Sequence, residues 1–325
     1  MKRILIASNT MVADETAEVV RLLTDAGHAP IMLHGDEVFA GTKELTFALD
    51  HRATAPVITY DGQVLSAETI GAAWYWRPNG FFAQDMPDKG RMLALGRELS
   101  QLQRGVLEAA VPSASWLNVP DAMRRANSKL HQLQVARDVG FVVPPTVVSN
   151  HWPAVKKLAR PVIMKMMLGE LFTANKPKMM YTTLLDNPKL ESLRHASPFP
   201  GIFQTYVPKA REWRVTLIGG KVFPVAIYTH ESAKVDWRQP NDVPGAVRYA
   251  AEPLPADITQ KCRTFMRKMK LAYGAFDLIE TPSGEFVFLE MNPNGQFRGF
   301  EQAVGHNHMS RAIADRLLYI ATKRG

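Results

Sequence analysis

Hydrophobic positions recur with two different periods along this chain. Residues 2–8 form an apolar run of the buried-strand type, residues 14–26 place apolar side chains at helical spacing and stop at Gly27, and residues 29–34 return to a strand. That strand–helix–strand opening predicts an α/β (α+β) architecture beginning with a parallel pair. Strand-like runs follow at 44–50, 56–60 and 70–76, then a long helix at 89–110. A cap-like start at Asn118-Val119-Pro120 precedes a helix over 127–139, which ends at Gly140 before an extended run at 142–148. Further strands are predicted at 161–167, 178–185, 202–207, 212–218 and 221–228, with 168–177 a flexible connection. Gly219-Gly220 between the last two strands is a two-residue hairpin signal. Helices at 256–271 and 307–323 flank a final hairpin over 273–295. The expected units are residues 1–117, 118–198 and 199–325.

The final hairpin places Asp277, Glu290 and Asn292 inside strands that otherwise read as core. Glu290 and Asn292 are two apart and share a face of an extended strand. A two-residue loop at Pro282-Ser283 or Ser283-Gly284 brings Asp277 onto that face, whereas a three-residue loop does not. An unpaired ionised carboxylate in an apolar setting costs on the order of several kcal/mol, so two of them beside an amide oxygen suggest a hard cation. Magnesium held together with nucleotide phosphates fits best, because it takes one or two carboxylates and leaves other positions to substrate oxygens. A partly exposed hairpin with solvated polar residues is the plain alternative.

Several other residues suit a nucleotide. Lys165 stands mid-strand after Val162, Ile163 and Met164, where an ammonium points to an anionic ligand or snorkels to water. Lys129 lies on the polar side of its helix, where an exposed lysine is the default. Arg214 alternates with Glu212 and presents a planar fork suited to phosphate, though a surface Arg/Glu ladder uses the same pattern. Gln204-Thr205-Tyr206-Val207 offers backbone groups for an adenine edge, although nothing in those residues demands it.

Among the 325 residues, 46% are hydrophobic, enough for compact cores. No apolar run is long enough to cross a bilayer, and residues 2–8 are too short for a signal-peptide core, so a cytoplasmic location with no membrane partner is expected. The single cysteine, Cys262, forms no internal disulfide and falls on the apolar side of its helix. A net charge of +8 favours acidic partners, but the basic residues are dispersed, so no nucleic-acid partner is expected.

Taken in order, the motifs resemble the ATP-grasp superfamily, and within it the ligases that macrocyclise graspetide precursors such as microviridins. They are Asp14-Glu15-Thr16-Ala17, Trp76-Arg77-Pro78, the run from Trp116 through Asn118, Pro120, Ala126-Asn127 and Lys129 to Gln132, Gly140-Phe141 with Pro144 and Thr146, Asp236-Trp237-Arg238, and Phe288-Leu289-Glu290-Met291-Asn292-Pro293-Asn294-Gly295-Gln296. After that last motif the family usually has tryptophan, where this chain has Phe297-Arg298. The resemblance implies a pre-ATP-grasp N-terminal domain, with central and C-terminal domains clamping ATP. It further implies that Lys129 and Lys165 contact phosphates, that Gln204, Tyr206 and Val207 border adenine, and that Asp277, Glu290 and Asn292 hold Mg²⁺. Arg214 then steadies the transferring phosphoryl group, and Asp236 and Arg238 lie near the acceptor, Arg238 being the better candidate for pairing with an acidic core residue; an ordinary loop ion pair is the plain alternative. The implied activity phosphorylates Asp or Glu side chains of a ribosomal precursor peptide, leader plus acidic core, and closes ester or amide rings with Thr, Ser or Lys. The implied assembly is a homodimer. Connections 168–177 and 230–245 are expected to act as lids over the activated carboxylate. An ATP-grasp ligase for free amino acids or small acids, and a scaffold without turnover, are the alternatives.

Overall fold

The computed structural model describes residues 2–53, 55–78, 88–167, 170–172, 177–179, 182–186, 200–229 and 245–323. The opening folds as its pattern predicts. Strand β1 (Arg3–Ser8), helix α1 (Ala13–Asp25) and strand β2 (Ile31–His34) are followed by a short helix α2 (Gly35–Ala40). A small antiparallel sheet of β3 (Leu45–Ala48), β4 (Val57–Tyr60) and β5 (Gln63–Val64) intervenes before β6 (Ile70–Tyr75), which completes a parallel sheet in the order β2-β1-β6. Both faces of that sheet are covered, as parallel sheets require. Leu5 and Ala7 pack towards Val106, Leu107 and Ala110 of α3 (Lys89–Ala110), while Ile4 and Ile6 face the other way.

The central sheet is antiparallel, in the order β11-β8-β12-β7, from β7 (Thr146–Ser149), β8 (Val162–Lys165), β11 (Thr183–Leu185) and β12 (Gly201–Thr205). The single strand expected over 178–185 is therefore two. Likewise, 168–177 is not a plain connection: β9 (Glu170–Phe172) and β10 (Pro177–Met179) pair as a hairpin. One face of the central sheet packs Val162, Leu185 and Phe203 against Val155 of α6 (Trp152–Val155) and against Leu158.

The third sheet runs β15-β14-β13-β16-β17, from β13 (Arg211–Ile218), β14 (Lys221–Thr229), β15 (Val247–Ala251), β16 (Tyr273–Glu280) and β17 (Phe286–Asn292). Gly219 and Gly220 join β13 to β14 with φ of 57° and 90°, the left-handed pair that a tight hairpin needs. Trp213, Val215 and Leu217 pack towards α4 (Pro120–Ala126), α5 (Lys129–Asp138) and α7 (Ala256–Met269). Cys262 is fully buried there, and burial pushes its thiol up to about 12. The chain ends on α8 (Arg298–Ala303) and α9 (His308–Thr322); Ile313, Leu317 and Ile320 of α9 join Ile4, Ile6 and Trp74 of the first sheet to Ile218 and Tyr273 of the third.

Candidate functional site

The turn between β16 and β17 differs from the expectation. Thr281 N–H donates to Glu285 O at 2.9 Å, which leaves Pro282-Ser283-Gly284 as a three-residue loop. Continued without interruption, that register sets Asp277 against Leu289. A bulge corrects it: Leu278 pairs with Phe288 but Asp277 pairs with Glu290, with Leu289 as the extra residue. Arg214 pairs with Asp277 on the other side, so Arg214, Asp277 and Glu290 form a row across three strands on one face.

The row is held together by polar contacts. Arg214 Nη1 lies 2.8 Å from Asp277 Oδ1, and the Asn292 amide Nδ2 lies 3.2 Å from Asp277 Oδ2 and 3.4 Å from Glu290 Oε1. Lys129 Nζ lies 3.0 Å from Glu290 Oε2 and donates to the Met166 carbonyl at 3.3 Å, which ties the end of the central sheet to the third. All four charged side chains are largely buried, with Arg214 only 8% exposed. Among the described residues no three His, Cys, Asp or Glu side chains share a metal-sized site; the candidate metal set is two carboxylates and one amide.

The surroundings fix this geometry. The Gln132 side chain donates to Met291 O at 2.7 Å and accepts from Met291 N at 2.9 Å, which docks α5 on the edge of β17 one turn after Lys129. Asn118 accepts from the amides of Ala272 and Tyr273 and donates to Tyr273 O. Arg214 Nη2 donates to Gln296 O at 3.1 Å, and Gly295 leaves room for that guanidinium: a Cβ there falls 2.7 Å from Nη2. Sequence reasoning did not assign these supporting roles to Asn118, Gln132 and Gly295. The available signal was Asn118 among the apolar residues Trp116, Leu117, Val119 and Pro120; Gln132 lies in a mixed helix and carried none, and the two are now 3–4% exposed.

On the central sheet, Gln204 pairs with Ile163 and Ile202 with Lys165, so these four residues share the face opposite Val162 and Phe203. Gln204 Nε2 donates to Thr146 Oγ1 at 3.0 Å, while its buried Oε1 has no partner among the described residues. Tyr206 and Val207 follow directly. The Tyr206 N–H donates to Pro161 O at 2.8 Å. Asp236 and Arg238 lie outside the described residues.

Solved structures share this architecture over almost the whole chain. A macrocyclase, MdnC, bound with precursor peptide MdnA from Microcystis aeruginosa MRC, has 26% identity and a TM-score of 0.83 over 97% of this chain and 98% of that one. The fold is that of the ATP-grasp ligases. A RiPP-associated ATP-grasp ligase from Chryseobacterium gregarium, in complex with ADP and a leader and core peptide, also has 26% identity and a TM-score of 0.83, over 98% and 97% of the two chains. The macrocyclase MdnB from Microcystis aeruginosa MRC has 26% identity and a TM-score of 0.77, over 98% of this chain and 100% of that one. No family model and no curated protein matches the sequence. Within this ATP-grasp fold, Phe297 is fully buried against Trp74, Trp76 and Tyr273.

Proposed function

We propose that this chain is an ATP-dependent peptide ligase. An Asp or Glu side chain of a ribosomal precursor peptide attacks the γ-phosphorus of ATP and ADP leaves; a Thr or Ser hydroxyl or a Lys amine of the same peptide then attacks the acyl carbon. Phosphate departs, the nucleophile loses its proton, and an ester or amide ring closes. The observation that supports this reading is the convergence of Asp277 and Glu290 on one amide, between Arg214 and Lys129, at the junction of two sheets.

The donor set fits magnesium. Two carboxylate oxygens already meet at the Asn292 side chain, and turning that amide over presents its oxygen in place of its NH₂. Bound by Asp277, Glu290 and Asn292, Mg²⁺ supplies neutralising charge for the triphosphate. Lys129, 3.0 Å from Glu290, and Lys165, the last residue of β8, are proposed to contact the phosphates, and Arg214 to be the fork for the transferring phosphoryl group. The orphaned Gln204 Oε1 suits an adenine amine, and Val207 borders the same end of the strand. Such transfer needs positioning and charge neutralisation rather than a covalent enzyme intermediate. Asp236 and Arg238 are proposed to stand near the acceptor, and the chain is read as a homodimer, which light scattering tests.

The deciding experiment searches the neighbouring reading frames for a short acidic peptide and incubates the chain with it, ATP and Mg²⁺. Mass spectrometry should show loss of one water per ring. Phosphate release with free amino acids, and none with the peptide, assigns the chain to the small-acid ligases instead.

A further inference from the structure

Two motifs, Trp76-Arg77-Pro78 and Asp14-Glu15-Thr16-Ala17, meet at one place. Arg77 follows β6, whose parallel neighbour β1 leads away into α1 while β2 lies on the far side of β1. The crevice between the loops after β1 and β6 is the topological switch point, where open α/β sheets bind ligands. Glu15 of α1 lies in it. Its carboxylate accepts from Gln296 Nε2 at 2.8 Å and Trp76 Nε1 at 3.1 Å, and meets Arg77 Nη1 only at 3.4 Å. Gln296 is also the residue whose carbonyl accepts from Arg214. Two residues, Glu15 and Gln296, therefore link Arg77 to Arg214, the arginine proposed for the phosphoryl site.

The backbone of Arg77 is held in a costly conformation. Its φ is 52°, left-handed for a bulky residue, and it precedes a proline, which ordinarily forces an extended conformation. Buried Asn9 fastens it by donating to the Arg77 carbonyl at 2.5 Å, while Asn9 Oδ1 accepts from Val12 N. On the other side Pro78 O packs so closely on Gly35 that a Cβ there would lie 2.0 Å away. Strain retained by such fixtures marks sites whose side-chain direction matters. The side chain so directed is 39% exposed, and among the described residues its five-donor fork makes the one long contact to Glu15.

Resting on the ligase reading above, we propose that Arg77 binds a carboxylate of the substrate peptide's acidic core, and holds that core beside Arg214 from the N-terminal sheet. A planar guanidinium with unused donors takes a carboxylate through two parallel bonds. Glu15, already satisfied by Trp76 and Gln296, orients the fork without saturating it. The net charge of +8 favours an acidic partner for the chain as a whole.

The test compares the unaltered chain with Arg77→Gly and Arg77→Asn, both of which tolerate a left-handed backbone and so keep the fold. Binding of ADP with Mg²⁺ is measured beside binding of the fluorescein-labelled neighbouring peptide and of its analogue with core Asp and Glu changed to Asn and Gln. The expected result is unchanged ADP affinity, about tenfold or greater weakening for the acidic peptide, and no change for the amide analogue. A variant that binds ADP normally and still prefers the acidic peptide as strongly as the unaltered chain overturns the inference alone. Failure of the unaltered chain to bind ADP overturns the ligase reading and the inference with it.

Discussion

Asp277 and Glu290 lie side by side with Arg214, Asn292 and Lys129 distributed around their oxygens. Asp277→Asn keeps the shape and removes one of the two charges, and should lower kcat/KM for peptide-dependent ADP release by roughly 100-fold or more. Gly295→Ala should cost about as much, because its methyl group clashes with both Ala275 and the Arg214 guanidinium, and a shift of roughly 1 Å at a reacting group costs on the order of 100-fold. Retained kcat in Gly295→Ala would show that Arg214 is not held where phosphoryl transfer needs it. Asp277, Glu290 and Asn292 were legible in the sequence because they interrupt apolar strands. Gly295 and Gln296 were legible only as motif letters, since their contacts to Arg214 span 82 residues for Gln296 and no local pattern encodes such a distance.

Elements with a full period were read to within a few residues, as for α3 and for the hairpin of β13 and β14. Those without one were not: α2, β15 and α8 have six residues or fewer, too short for a helical or alternating pattern to repeat. The bulge at Leu289 was hidden for a related reason, because Leu289 itself is an ordinary strand residue and only the pairing shows it to be extra. Docking of α5 rests on the Gln132 side chain, which takes the place of a neighbouring strand for Met291. Gln132→Ala leaves that amide and carbonyl without their partner, and should lower stability by about 1–3 kcal/mol in urea unfolding. It should also weaken ADP binding, since Lys129 rides on the same helix; an unaltered ADP affinity would separate α5 docking from the site.

Across the whole molecule, acid should weaken α1 itself and its tie to the start of α9. Glu18 in α1 is lowered from 4.5 to about 2, first by its hydrogen bonds from Arg21 and then from Asn307, the residue before α9. A depressed acid stabilises the folded state above its unfolded value, so this contribution is complete above a pH of about 4.5 and is lost as the pH falls towards about 2. Glu18→Gln should flatten the urea midpoint across that window, and an unchanged slope would place the acid sensitivity elsewhere. The same α9 carries a consequence for synthesis. Ile313, Leu317 and Ile320 roof the strands that contain Ile4, Ile6 and Trp74, so this sheet is synthesised with one side bare and waits for a helix that follows much later in the chain. Nascent chains stalled before residue 308 should accordingly be cleaved by protease within their opening strands, and released chains should not.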